Sequence, residues 1–286
     1  MQLTKNFVKA KQPCAAGFRW FIRNRNGQGE YQQLLDDLVA ENRIDDALWL
    51  LDQFGPIDAV RTLDSLEANA VVFAGELRIR QGIEVDTIVR AGRGIHTQGS
   101  IRTQGNIIAG RDIRAEGGIR CDGSLHVTGD LHTGWSLDIG QSLNCSGQIK
   151  AHRDIRVAGA LLTEGNLQAG EDIDSGGPLS CNGSIKAGGN VIGGAGIHAR
   201  RGIMAGQDIR CADHLDAHWG ILARGDILAG SSIRAGEGIE AGGLLQAGEG
   251  HCIYAGLSVR QDAWPVSAQV RAQSRPPLLL SGHWQS

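Results

Sequence analysis

Residues 99–125 read GSIRTQGNIIAGRDIRAEGGIRCDGSL. Ile101, Ile107, Ile113, Ile119 and Leu125 stand six apart, and two residues after each come Thr103, Ala109, Ala115, Cys121 and Val127. The spacing extends far beyond this stretch: every sixth residue from Val71 to Leu245 is Ile, Leu or Val. Side chains alternate across a strand, so residues i and i+2 face the same way. A large aliphatic followed by a small residue is therefore a short strand with one buried face. The rest of each unit consists of turn formers, such as Gly105, Gly117 and Gly123, with Asn106, Asp112 or Ser124 just before the next aliphatic. Glycine reaches positive φ and Asx side chains bond the local backbone, so these positions are corners. Strands and corners alternating at this spacing define a β-solenoid.

Three units make one triangular coil. The predicted fold class is mainly β: a three-sided parallel β-helix of about ten coils, with large aliphatic ladders and small residues inside. At the strand spacing the rod is on the order of 50 Å long. Residues 1–66 are expected to form a helical N-terminal cap, 67–260 the parallel β-helix and 261–286 a capping tail.

The strings GNIIAG (Gly105–Gly110), GDILAG (Gly225–Gly230) and GIEAG (Gly238–Gly242) resemble the repeat of bactofilins, the polymer-forming cytoskeletal proteins. The resemblance covers the repeat alone. It implies a right-handed three-sided β-helix and, in function, a filament subunit. The left-handed hexapeptide helix of acyltransferases and γ-type carbonic anhydrases has its small residue two positions before the aliphatic. Here that place holds Arg93, Gly99, Arg111 and Trp135 among others, a departure from that pattern. The segment CAAGFRWF, Cys14 to Phe21, resembles the helical starts of repeat proteins in bacterial toxin-immunity loci. That resemblance implies an immunity or inhibitor role.

Glycine supplies 42 of the 286 residues, and the corners of the repeat account for most of them. The formal charge of −3 gives no global case for nucleic acid. No apolar run reaches the roughly 18 residues of a membrane span. The opening MQLTKNFVKAKQPC has no hydrophobic signal region, so a cytoplasmic location is expected. Of the six cysteines, Cys121, Cys145, Cys181 and Cys211 fall at inward small positions, and no CxxC occurs. They read as core thiols, with neither a metal site nor a disulfide framework.

The ends depart from the six-residue period. Residues 1–13 are polar and basic and are expected to be loosely held. Ala15, Phe18, Trp20, Phe21 and Ile22 make a first helical segment, followed by a loop over Arg23–Gly29. Tyr31, Leu34, Leu35, Leu38 and Val39 recur at helical spacing. Asp45 is a candidate N-cap for a helix carrying Ala47, Leu48, Leu51 and Phe54, stopped by Gly55-Pro56. A short helix is expected over Ile57–Leu63. Past Leu245, Ile253 and Val259 resume the period shifted by two, which predicts an insertion near Gly248–Gly250. The apolar tail is expected to pack back as a strand or cap.

Outward residues fall on three faces. One carries Arg78, His96, Arg114, His132 and Lys150, then turns apolar at Met204 and Leu222. The next carries Arg102, Arg120, Arg156 and Arg210. Stacked like charges repel, so a basic ladder needs either a partner or neutralising corner aspartates. The candidate partner-binding residues are Arg102, Arg120, Arg156, Arg210, His96, Arg114, His132 and Lys150, and the partner they suit is an acidic protein. His214 and His218, with Asp213 and Asp216, are the best-placed group for metal or acid–base chemistry, yet a solvated corner is the favoured reading of them. No GxSxG, P-loop, helix-opening GxGxxG or HExxH is present. The sequence points to a non-catalytic protein-binding solenoid without cofactor or metal, monomeric or a small homo-oligomer.

Overall fold

A computed structural model describes residues 1–285. From Val60 onward the chain winds as a parallel solenoid of about twelve turns. The repeat supplies the pairing register directly: Ile113 lies beside Leu131, and Leu131 beside Ile149, each one coil of 18 residues apart. The first wall is a sheet of thirteen strands, from Val60–Leu63 to His283–Trp284. The second and third walls join in a 21-stranded sheet, because Leu66–Phe73 and Ile83–Ala91 run unbroken across both. The aliphatic ladders point inward and are buried from Val71 to Leu245.

The turn count exceeds the expected ten because both ends add strands that lack the six-residue spacing. Val60–Leu63 pairs with Glu76–Ile79, so the short helix expected over Ile57–Leu63 is not formed. Gly55, at φ 73°, and Pro56 end the preceding helix, and the chain leaves extended. At the other end, Ile253 pairs with Ile233 rather than with the residue 18 before it, which places the two-residue insertion in the preceding turn. Val259 does not rejoin the wall. The chain bulges through Gln261–Ala263 and the short helix Trp264–Ser267, and Val270 takes the next inward place beside Ile239. The tail then adds Leu279–Ser281 to the third wall and His283–Trp284 to the first.

Two side-chain networks tie successive coils together. Inward Thr, Ser and Cys donate to a corner carbonyl of the preceding coil: Thr133 to Gly117 at 2.7 Å, Ser175 to Gly159 at 3.0 Å, Cys121 to Gly105 at 3.0 Å, Cys181 to Gly165 at 3.1 Å. A polar atom inside the core thus meets an acceptor. At the corners, Asp and Asn accept the backbone N–H of the residue one coil on. Asp112 receives Asp130 N at 2.8 Å, Asp172 receives Asn190 N at 2.7 Å, and Asp208 receives Asp226 N at 2.8 Å. This bond dictates the residue just before the donor. A Cβ at Gly129, Gly189 or Gly225 would lie 2.1, 2.2 or 2.0 Å from that carboxylate oxygen. Where Glu171 stands in place of glycine, the bond from Asp172 N to Asp154 is longer, 3.3 Å.

The N-terminal segment folds as α1 (Lys5–Ala10), α2 (Ala15–Arg25), α3 (Tyr31–Ala40) and α4 (Ile44–Phe54). Residues 1–13 are held more firmly than their composition suggests. Gln2–Thr4 pairs with Gln28–Glu30, and Leu3 and Val8 are buried. The expected Arg23–Gly29 loop shrinks to Asn26-Gly27, since α2 runs through Arg25. Arg43, not Asp45, is the N-cap of α4, and Asp45 sits in its first turn. Trp20, Phe21, Tyr31, Leu34, Leu35 and Leu51 form a separate core that takes in Val72 and Ala74 from the first coil. Gln32 clamps the edge of that coil: its Oε1 accepts Ala74 N at 2.9 Å and its Nε2 donates to Val72 O at 3.2 Å. Arg61–Asp36 at 2.9 Å and Arg90–Asp52 at 3.1 Å add ion pairs across the junction.

Candidate functional site

The parallel register turns each outward position into a straight row. On the first wall, Arg78, His96, Arg114, His132, Lys150, Gln168, Lys186, Met204, Leu222, Glu240 and Arg271 are consecutive neighbours. On the second, Arg102 and Arg120 are adjacent, Asp138 separates Arg120 from Arg156, and Ile192 precedes Arg210. All eight candidate residues therefore lie on these two rows, at roughly 4.8 Å per rung.

The rows differ in how their charge is met. Arg120 reaches Asp122 at 3.4 Å. Arg156 reaches Asp154 at 3.0 Å and Asp138 at 3.7 Å. Arg210 reaches Asp208 at 2.8 Å and Asp226 at 3.8 Å. Corner aspartates neutralise these three second-wall arginines, and only Arg102 stands without an ion pair among the described residues. On the first wall Arg78 is paired with Glu76 at 2.6 Å. His96, Arg114, His132 and Lys150 have no ion pair among the described residues. Their corner aspartates are engaged elsewhere: Asp130 accepts Gln148 N at 2.9 Å and Gln148 Nε2 at 3.2 Å. Burial pushes the His132 pKa below its ordinary value, and the flanking Arg114 and Lys150 push it further; Asp130 and Asp112 oppose them without reversing the shift.

Beyond Lys186 the same wall becomes an apolar groove of about 560 Å³. Met204, Trp219 and Val266, at 43, 47 and 75% exposure, give it large uncovered apolar surface. The Arg201 guanidinium lies 5.6 Å from the Trp219 ring centre, and Arg153 stands likewise 5.9 Å from Trp135. Each pair is one coil apart, so the coil length would have revealed both in the sequence. Val266 belongs to the bulge of the tail, and no periodicity announces it.

The His214 group is dispersed. His214 Nδ1 lies 2.9 Å from Ser232 Oγ and Nε2 lies 3.5 Å from Asp213, while the ring meets His251 edge-on at 6.3 Å. Asp216 turns instead to His198, at 3.5 Å on the third wall. Among the described residues no three His, Cys, Asp or Glu side chains converge as metal ligands would. No helix among them is long and apolar enough to cross a membrane.

Residues 1–54 match the family model of the YdhT N-terminal domain, a span that ends at Phe54 with the last residue of α4. No curated protein and no solved structure matches the chain.

Proposed function

We propose that this protein is a non-catalytic cytoplasmic solenoid that binds an acidic protein along its first wall. The observation that carries the reading is the unpaired row His96, Arg114, His132 and Lys150, continuous with the apolar groove at Met204 and Leu222. An inert rod would neutralise that row with its own corners, as the second wall does at Arg156 and Arg210. An acidic, partly apolar partner surface would cover both halves at once. Long-range attraction to the row would hasten encounter, and the apolar groove would hold the complex. An immunity or inhibitor role is one specific form of this reading, in which the partner is a toxin or enzyme.

The test is capture from the native cell extract on the immobilised chain, compared with Arg114→Glu/Lys150→Glu and with Arg120→Glu/Arg156→Glu. The reading expects an acidic protein retained by the wild type and the second variant and lost from the first, with retention falling as salt rises. His214→Ala/His218→Ala should retain it too. Equal retention by all variants would refute the first-wall assignment.

A bactofilin-like filament subunit is the second reading. It is favoured by the open first coil: Gln32 clamps its edge at Val72 and Ala74, but Val60, Thr62 and Glu67 remain exposed. Filaments formed by the intact chain at physiological salt would put this reading first.

A further inference from the structure

The second wall ends a coil earlier than its neighbours. Its last strand, Leu245–Gln246, pairs on one side only, with Ile227 and Leu228. On the coils below, the inward residue of this wall sends its N–H toward the following coil: Val191 to Asp208 O at 2.9 Å, Ile209 to Asp226 O at 2.8 Å, Ile227 to Leu244 O at 2.8 Å. By the same geometry the N–H and C=O groups of Leu245 and Ala247 point past the end of the wall. None of these four groups has a hydrogen-bond partner among the described residues.

The chain does come back over this place. Gln273 N bonds Gly243 O at 2.9 Å, just as Gly243 N bonds Gly225 O at 3.0 Å one coil earlier. Arg275, Pro276 and Pro277 therefore arrive where the next strand belongs. Proline has no N–H to give and a fixed φ, so this segment cannot complete the ladder. A cleft of about 510 Å³ separates Ser274–Leu278 from Leu245–Ala247. Leu244 and Leu278, both exposed, flank it.

We infer that this edge binds an extended peptide segment of a partner protein by strand addition, reading the sequence aliphatic–any–small. Backbone donors and acceptors alternating at strand spacing are matched by another extended backbone. The side-chain rule comes from the ladder the peptide would continue: the rungs beneath carry Ile209 with Cys211 and Ile227 with Ala229. The aliphatic would stack on Leu245 and the small residue on Ala247, with the middle residue outward above Gln246. Arg275 and Glu249 line the cleft with opposite charges, so recognition rests on the backbone and the inward pair. This site is on a different wall from the basic row and does not depend on it.

The probe is an acetylated synthetic peptide of the repeat itself, ARGDILAGS, residues 223–231, whose Ile-Leu-Ala fits the rule. Amide hydrogen exchange is followed in the intact protein with and without saturating peptide. The Leu245 and Ala247 amides should exchange freely in the free protein and slow by about tenfold or more with peptide. The same peptide with Asp in place of its Ile should leave them unchanged, and Leu278→Asp, at the rim and outside the core, should weaken the effect. Amides already protected without peptide, or unmoved at saturation, or slowed equally by both peptides, would overturn the inference. Slowing with protein concentration alone would assign the edge to a second copy and overturn the choice of partner.

Discussion

Asp208 and Gly225 share one corner, and each constrains the other. The carboxylate accepts Asp226 N at 2.8 Å, and the space it fills is the space a Cβ at residue 225 would need, 2.0 Å from Oδ1. Gly225→Ala should cost about 2 kcal/mol, a typical figure for forced steric conflict in a packed site. Asp208→Ala alone should cost about 1 kcal/mol for the lost hydrogen bond. With the carboxylate gone, the nearest remaining neighbour to that Cβ is Gln207 C at 3.3 Å, so the double variant should be less destabilised than the sum. Thermal midpoints of the four proteins decide this, and strict additivity would contradict the corner assignment. The cysteines give a second residue-level prediction. Burial pushes the thiols of Cys121, Cys145 and Cys211 up to about 11, and that of Cys181 in the same direction. Cys14 is exposed and Cys252 half-buried. Mass-spectrometric labelling of the native protein near neutral pH should modify Cys14 first and Cys252 next, and the other four only on unfolding. Early labelling of Cys145 would contradict the closed ladder.

Each wall behaves as a stack of single rungs, and the first wall carries the pH dependence. The His132 pKa lies below its ordinary 6.5 in the folded state, held down by burial and by Arg114 and Lys150. The unfolded chain therefore binds more protons as the solution is acidified. His132 contributes stability that is complete above about 6.5 and is lost as pH falls through the depressed folded value. His132→Asn should flatten the melting temperature across pH 5 to 7 (roughly the histidine range) relative to wild type, and an unchanged slope would contradict the row. The helical unit offers a companion test. Gln32→Ala removes both bonds to the first coil and should make the Ile57–Leu63 connection more sensitive to limited proteolysis, while the repeat stays intact. The interior was legible in the sequence because one residue type recurs where one geometry recurs: Ile155 and Leu179 are buried for the same reason as Ile107. The N-terminal elements were legible only in outline. Leu3 and Val8 look like parts of a polar leader until the strand Gln2–Thr4 finds Gln28–Glu30, a pairing that no local pattern encodes.

The whole molecule is a rod with distinct ends and unlike flanks. The candidate rows were readable once the coil length was known, since outward residues follow from the same count. Which row is free was not readable. It depends on whether a carboxylate that already accepts the N–H of the next coil also reaches an arginine, as Asp154 does toward Arg156, or a glutamine amide, as Asp130 does toward Gln148. The tail bulge that brings Val266 over the groove was equally hidden, because Val270 rather than Val259 resumes the wall. Sedimentation of the intact chain addresses the ends: the helical unit and the added strands of the tail favour a monomer or small oligomer, whereas filaments would transfer the account to the open edge at Val60. The flank is addressed most directly by the dissociation constant of the captured acidic partner, measured for wild type, Arg114→Glu/Lys150→Glu and Arg120→Glu/Arg156→Glu. The account predicts binding weakened by about a hundredfold or more in the first-wall variant and changed by less than about threefold in the second-wall variant. Equal affinities for the wild type and the first-wall variant would contradict it.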